Sequence, residues 1–187
     1  MTLEKECRTI PKWYVLRDLK RPNAKMRAYQ MLQQSPSEQM KVFTPMTKHV
    51  VTRAGKKVVE EKPIINDLLF VYANRLTLDP LIEMIDTLQY RYVRGGGPQE
   101  PMVVADKEMM QFITIVEGQE PVRFYKPEEV SAAIYGRKIR IVGGQLDGYE
   151  GRLMTTRGSK VKRLIVELEG ILAVAVEVHP EYIQLVE

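Results

Sequence analysis

Cysteine and histidine, which many enzymes use for chemistry, are few in this chain and lie far apart. The single cysteine is Cys7, in a polar N-terminal segment, and the two histidines are His49 and His179. Neither histidine has an evident acidic partner, and their separation does not suggest a local metal motif. Gly95–Gly97 follows a predicted strand but continues into Pro98, so it does not resemble a phosphate-binding loop. We therefore expect no catalytic residues, no metal, no cofactor and no intrachain disulfide.

Positive charge is concentrated in the first third of the chain. Residues 1–62 hold 14 Lys or Arg and 6 Asp or Glu, although the whole chain carries a net charge of only +4. Such a concentration favours attraction to a polyanion. The alternative is that these side chains simply keep a surface solvated, and charge alone does not decide between the two.

The composition is that of an ordinary globular protein. Hydrophobic residues make up 44% of the chain and charged residues 28%. There is no run of about 18 apolar residues, and the N-terminus lacks the apolar stretch of a secretory signal. We expect a cytoplasmic protein with no membrane partner.

Periodicity in residues 1–117 predicts strands and helices in one α/β unit. The predicted strands are Trp13–Arg17, Met40–Thr52, a return strand from Val58, Leu68–Tyr72 and Tyr90–Arg94. The first predicted helix is Ala24–Gln34. The second has Asp79 as its N-cap and Pro80 in its first turn. The third is capped by Asp106 and is predicted to turn Met109, Ile113 and Val116 inward. Arg53–Lys57 is predicted to be an exposed hairpin tip, basic mainly for solubility.

The pattern changes after residue 117. Residues 118–134 mix prolines with polar residues and are interpreted as a linker. Beyond them, short strands alternate with glycine turns, which is typical of a small β-barrel. The predicted strands are Lys138–Val142, Arg152–Thr156, Leu164–Leu168, Ala173–Val178 and a closing strand Tyr182–Val186. The predicted fold class is therefore α+β, with domains at 1–117 and 135–187.

Several of these segments resemble the NusG family over nearly the whole chain. Trp13–Leu16 resembles the family's opening strand and Leu68–Val71 its central apolar strand. Tyr92–Gly96 with Pro101–Val104 resembles a later strand and its following turn. The resemblance implies an NGN-type α/β sandwich, built on a mainly antiparallel sheet with flanking helices.

The C-terminal region supports the same resemblance independently. Gly136–Gly151 is similar to the KOW motif, which opens an SH3-like barrel, and Gly151 is expected to be structural. Asn66–Val71, Arg91–Arg94 and Ala173–Ala175 are most similar to the UpxY-type antiterminators that serve capsular-polysaccharide operons.

The function implied by the resemblance is that of a transcription elongation factor without enzymatic activity. Its N-terminal domain would bind the clamp helices of RNA polymerase, suppress pausing and promote antitermination. The implied contact residues are Leu68, Phe70 and Tyr92, which match the family's apolar patch. The open alternative is that Phe70 and Tyr92 belong to the core of adjacent strands.

Contact with non-template DNA or nascent RNA is expected on the basic side near the first helix. The candidate residues are Arg17, Lys20, Arg21, Lys25 and Arg75. Phosphate contact requires only charge and reach, whereas base reading requires stacking or paired hydrogen bonds. Whether Arg75 or its neighbour Asn74 reads a base is left open.

The barrel of NusG relatives recruits further machinery, such as a ribosomal small-subunit protein or the termination factor Rho. Leu146 and Tyr149 match the loop that does so, although both could instead fold inward to cap a thin barrel. Two other functions are compatible with the sequence: a general housekeeping NusG-type factor, and a KOW-containing protein that binds RNA or the ribosome.

Overall fold

The computed structural model describes residues 8–19, 26–34, 40–93, 100–118, 122–126, 129, 136–155, 158 and 160–186. Two compact units divide between Asp106 and Lys107. The elements of the first unit, in chain order, are β1 (Lys12–Asp18), α1 (Ala28–Gln33), β2 (Lys41–Phe43), β3 (Met46–Arg53), β4 (Lys56–Pro63), β5 (Leu68–Ala73), α2 (Arg75–Met84), β6 (Leu88–Tyr90) and β7 (Val103–Val104).

The first unit is built on an antiparallel sheet with the strand order β2-β5-β1-β6, in which β7 also pairs with β1. Strands β1 and β5 are interior, and Val15 lies opposite Phe70 in their register. Both strands are buried over most of their length, which agrees with their continuous apolar sequences. The prediction that the Leu68–Tyr72 strand lies centrally is confirmed.

One face of this sheet packs against α1 and α2. The shared core contains Tyr14 and Leu16 from β1, Leu32 from α1 and Leu78 from α2. Side chains of alternate strand residues point to opposite faces, so Trp13, Val15 and Phe70 face the other side, where they are also buried. The centres of β1 and β5 are therefore covered on both faces.

The start of α2 differs from the prediction. The helix begins at Arg75, its N-cap is Asn74, and Pro80 lies inside it rather than in its first turn. The Thr77 backbone N–H donates to the Asn74 Oδ1 over 2.9 Å, which satisfies one of the free donors at the helix start. Asp79 is therefore not the cap, and the helix ends at Met84, before β6 begins at Leu88.

The β3 and β4 strands form a separate two-stranded ribbon. They are joined through Ala54 and Gly55, with φ values of 49° and 75°. Positive φ at both central residues is the requirement of a type I′ hairpin turn, and glycine meets it without steric cost. The predicted hairpin and its exposed tip are confirmed, with β2 as a distinct strand before Pro45.

The second unit contains the remaining elements. They are α3 (Asp106–Gly118, from Lys107 onward), β8 (Val122–Tyr125), β9 (Lys138–Ile141), β10 (Glu150–Thr155), β11 (Lys162–Leu168), β12 (Leu172–Val178), a 3-10 turn (Pro180–Tyr182) and β13 (Ile183–Leu185). The strands form a six-stranded antiparallel sheet in the order β13-β9-β10-β11-β12-β8. The predicted last strand is present and pairs with β9.

Two predictions around the start of this unit differ from the structure. The segment interpreted as a linker contains β8, which pairs with β12, and the third helix groups mainly with the second unit. That helix buries Met109, Phe112 and Ile115 rather than Met109, Ile113 and Val116. The Phe112 ring lies 6.5 Å from the ring of Phe124 on β8. This aromatic contact holds Phe112 on the buried side of the helix.

Candidate functional site

The three residues predicted to form an apolar contact surface have different environments. Leu68 and Phe70 are buried, with relative exposures of 2% and 0%, whereas Tyr92 is 48% exposed. Strand β5 is interior and covered on both faces, and the Phe70 ring packs 6.3 Å from that of Phe43. Leu68 and Phe70 therefore support the sheet from inside and are not surface residues, contrary to the resemblance-based expectation.

Tyr92 lies on a short extended segment with other exposed apolar side chains. It forms a β-bridge with Pro101, and the Met102 N–H donates to the Arg91 carbonyl over 2.7 Å. Val103 lies two residues beyond Pro101, on the same side as Tyr92, and is also exposed. We call Tyr92 and Val103 the Tyr92 strip. Exposed apolar residues on a hydrogen-bonded backbone form a surface that is fixed before any partner binds.

A charged cluster joins α2 to β6 in the same unit. The Asp79 Oδ1 accepts hydrogen bonds from the Tyr90 hydroxyl over 2.7 Å and from the Arg75 Nε over 3.1 Å. Its Oδ2 pairs with the Arg8 guanidinium at 2.5 Å. The Arg75 guanidinium also lies 5.5 Å from the centroid of the Tyr90 ring. We call Arg8, Arg75, Asp79 and Tyr90 the Asp79 cluster.

The pKa values of the Asp79 cluster follow from its geometry. Burial opposes ionisation of Asp79, but the hydrogen bonds from Tyr90, Arg8 and Arg75 outweigh burial and lower its pKa below the ordinary value. Burial, together with the adjacent carboxylate, raises the pKa of the Tyr90 hydroxyl. Asp79 is therefore a fixed anion that orients the Arg75 guanidinium through its Nε.

The remaining predicted basic residues are only partly described. The exposed Arg17 pairs with Asp67 at 3.4 Å, a surface ion pair of little strength. Lys20, Arg21 and Lys25 lie outside the described residues. Arg17 and Arg75 are thus the members of the predicted nucleic-acid set for which the structure gives an environment.

Arg27 has a structural role that the sequence pattern did not indicate. Arginine side chains are mostly exposed in proteins, yet Arg27 is buried, with its guanidinium donating to the Asn66 side chain and backbone carbonyl. Its Nε lies 3.8 Å from Asp18, whose Oδ2 accepts the Ala28 N–H over 2.8 Å. The group joins the end of β1, the start of α1 and the turn before β5, and only tertiary contacts reveal it.

In the second unit, the predicted partner loop lies between β9 and β10. Leu146 is buried, whereas Tyr149 is half-buried and Val142, at the end of β9, is exposed. The Asp147 Oδ1 accepts the Gly143 N–H over 2.6 Å, and the Gly148 N–H donates to the Ile141 carbonyl over 2.8 Å. Leu146 therefore packs inward, which was one of the two alternatives that the sequence allowed. The accessible groups near this loop are Tyr149 and Val142.

No three His, Cys, Asp or Glu residues among the described positions are grouped as metal ligands would be. Among the same residues, no helix has the length and apolar character needed to cross a membrane. The candidate binding features of the first unit are the apolar Tyr92 strip, the oriented Arg75 and the basic β3–β4 ribbon.

Comparison with known protein families gives a match over the first part of the chain. Residues 11–113 match the family model described as "Transcription termination factor nusG", which covers more than half of the chain. The match begins just before β1 and ends within α3, so it includes the Tyr92 strip and all of the Asp79 cluster except Arg8. No curated protein matched the chain.

Proposed function

Because the chain belongs to the NusG family, whose proteins generally bind RNA polymerase, we propose that it is an elongation factor that suppresses pausing and promotes antitermination. We propose further that it serves specific long operons, such as those for capsular polysaccharide. The role is that of an adaptor without a reaction of its own, acting in the cytoplasm where polymerase works.

The exposed Tyr92 strip is the observation that carries the proposed polymerase contact. An apolar surface of this kind suits the side of an α-helix, and the clamp of RNA polymerase presents helices. Tyr92 is the candidate anchor because tyrosine supplies a large contact area at low conformational cost. Leu68 and Phe70 would act indirectly, by keeping the sheet of the first unit in place.

The proposed nucleic-acid contact is supported by Arg75 and Arg17. Arg75 is oriented by Asp79 and by the Tyr90 ring, while Arg17 is exposed and weakly paired. Both residues are available to phosphates of the non-template strand or of nascent RNA. Lys20, Arg21 and Lys25 belong to the same proposed surface on the basis of the sequence.

The second unit is proposed to be a KOW-type SH3-like barrel that recruits a third protein, a ribosomal small-subunit protein or Rho. Its antiparallel strand order and its glycine turn at 143–148 support this assignment. The proposed contact residues there are Tyr149 and the exposed Val142, and Leu146 acts by holding the loop from inside.

The direct test is retention on immobilised core RNA polymerase after nuclease treatment. Tyr92→Ala is expected to weaken retention at least roughly tenfold, the effect of a central aromatic anchor. The matched control is Met84→Ala, an exposed apolar side chain at the end of α2 that should leave retention unchanged. Wild-type protein that nuclease releases would be an RNA-binding module, and the proposal would fail.

Operon specificity needs a separate measurement. Transcription through a long capsular-type operon and through an unrelated operon should be compared in cells with and without the protein. Loss of distal transcripts only from the first supports a specialised antiterminator. Equal loss from both would show the general NusG-type factor instead.

A further inference from the structure

The β3–β4 hairpin is a two-stranded ribbon that pairs with neither of the larger sheets in the described part of the chain. Its strands, Met46–Arg53 and Lys56–Pro63, have eight residues each. At about 3.3 Å per residue, the ribbon is roughly 26 Å long. Isolated two-stranded ribbons are marginally stable in water, so a ribbon of this length is a candidate for stabilisation by a bound partner.

One face of the ribbon is exposed along its length. The register places Lys48 opposite Glu61, Val50 opposite Val59 and Thr52 opposite Lys57, and these six side chains project to the same side. All six are exposed, and the central Val50 and Val59 are 66% and 62% exposed. We call this surface the open face. The exposed valine pair lies between the Lys48–Glu61 pair and the Thr52–Lys57 pair, so the face combines apolar groups with two lysines and one carboxylate.

The charge of the ribbon favours a polyanionic partner. Five Lys or Arg residues accompany two glutamates in residues 46–63, a net charge of +3. Arg53 and Lys62 both pair with Glu60, at 2.5 Å and 3.3 Å, which uses one carboxylate for two cations. Within the described residues, the tip lysines Lys56 and Lys57 have no ion-pair partner. The tip of the ribbon therefore carries positive charge that the glutamates of the ribbon do not balance.

We propose that the open face of the ribbon lies in the major groove of duplex DNA. That groove is about 12 Å wide and about 8.5 Å deep, and it admits a two-stranded β-ribbon. Lys48 and Lys57 would reach phosphates, Thr52 could donate to a base edge, and Val50 with Val59 would contact thymine methyl groups. Duplex DNA offers phosphates to the lysines and thymine methyl groups to the valine pair on one surface.

This second nucleic-acid contact extends the proposed function and is independent of polymerase binding. Its charge component is tested by fluorescence anisotropy of a 20-base-pair DNA duplex with the full-length protein between 50 mM and 200 mM salt. The Lys48→Gln/Lys57→Gln variant should lower the slope of log affinity against log salt by about 1.8, since one phosphate contact accounts for about 0.9 of the slope. The ratio of wild-type affinity to variant affinity should therefore fall about twelvefold between 50 mM and 200 mM salt.

The matched control is Lys126→Gln/Lys160→Gln, which removes the same charge from exposed positions of the second unit. It should leave the salt slope close to that of the wild type. An equal loss in both variants would show that net charge alone matters and would overturn the proposal. Circular dichroism of each variant establishes that the strands are retained.

The groove component is tested by Val50→Thr/Val59→Thr, which keeps charge and β-branched shape. Affinity for the DNA duplex should fall roughly threefold, because the valines no longer pack against thymine methyl groups. An RNA duplex of equivalent sequence should bind more weakly than DNA, because its major groove is deep and narrow. Equal binding of DNA, RNA and heparin, or an unchanged affinity of the valine variant, would overturn the groove assignment. Because no polymerase is present, failure here leaves the proposed function untouched.

Discussion

The Tyr90 hydroxyl donates a 2.7 Å hydrogen bond to the Asp79 Oδ1 and thereby joins strand β6 to helix α2. The same carboxylate oxygen accepts from Arg75 one helical turn earlier. Hydrogen bonds to a charged acceptor are among the stronger ones in proteins. The contact therefore couples the stability of the first unit to the ionisation of one carboxylate.

The first prediction concerns acid stability. Because the folded-state pKa of Asp79 is lowered, its contribution to stability is present above the unfolded-state pKa of about 3.9 and is lost as pH falls through the folded value. Asp79→Asn should lower the urea midpoint at pH 7, and the difference from wild type should shrink below about pH 4. Asp86→Asn, at an exposed carboxylate, is the control. A deficit for Asp79→Asn that stays constant with pH would contradict this explanation.

The second prediction separates folding from binding at β5. Phe70→Ala removes a fully buried ring and should reduce the free energy of unfolding by about 3–5 kcal/mol. At a temperature where the variant remains folded, its retention on core polymerase should match that of the wild type. Urea unfolding and the pull-down measure the two effects separately. Normal stability with abolished retention would mean that Phe70 itself touches the partner.

The third prediction concerns the close approach of β10 and β11. A Cβ at Gly151 would lie 2.2 Å from the Ile165 carbonyl oxygen and 2.7 Å from the Leu164 Cδ1. Gly151→Ala should therefore force the strands apart and cost about 1–3 kcal/mol or more of stability. Gly118→Ala is the matched control, because a Cβ there would meet nothing within 4 Å. Thermal unfolding of both variants, followed by hydrogen exchange in β11, measures the effect; equal melting would refute it.

The fourth prediction concerns Arg17. Arg17→Glu should weaken binding to an elongation complex more at low salt than at high salt, because ions screen an exposed charge. The salt slope should fall by about 0.7–0.9, the share of the slope that one phosphate contact supplies. Lys160→Glu, a charge reversal at an exposed position of the second unit, is the comparison. A weakening of binding that does not depend on salt would point to misfolding instead.

Local patterns in the sequence determined several features of this protein. Continuous apolar residues specified β1 and β5 as buried strands, and Ala54-Gly55 between two extended segments specified the hairpin. Gly151 was expected to be structural, and the approach of Ile165 explains why. The family was visible in segments that the family model also matches. These features depend on neighbours in the chain, and residue order is sufficient to predict them.

Only the tertiary structure decided which face of each element is covered. The sequence pattern of an apolar strand residue is the same whether the residue binds a partner or packs in the core. Only the assembled sheet shows that Leu68 and Phe70 are buried and that Tyr92 is exposed. Arg27 is of a residue type that is usually exposed, and its burial beside Asp18 and Asn66 is visible only in the folded structure. Asp79 does not cap α2, because its carboxylate is held by Tyr90 and Arg8, which are 11 and 71 residues away along the chain. Such contacts join residues that are far apart in sequence, and local periodicity therefore carries no information about them.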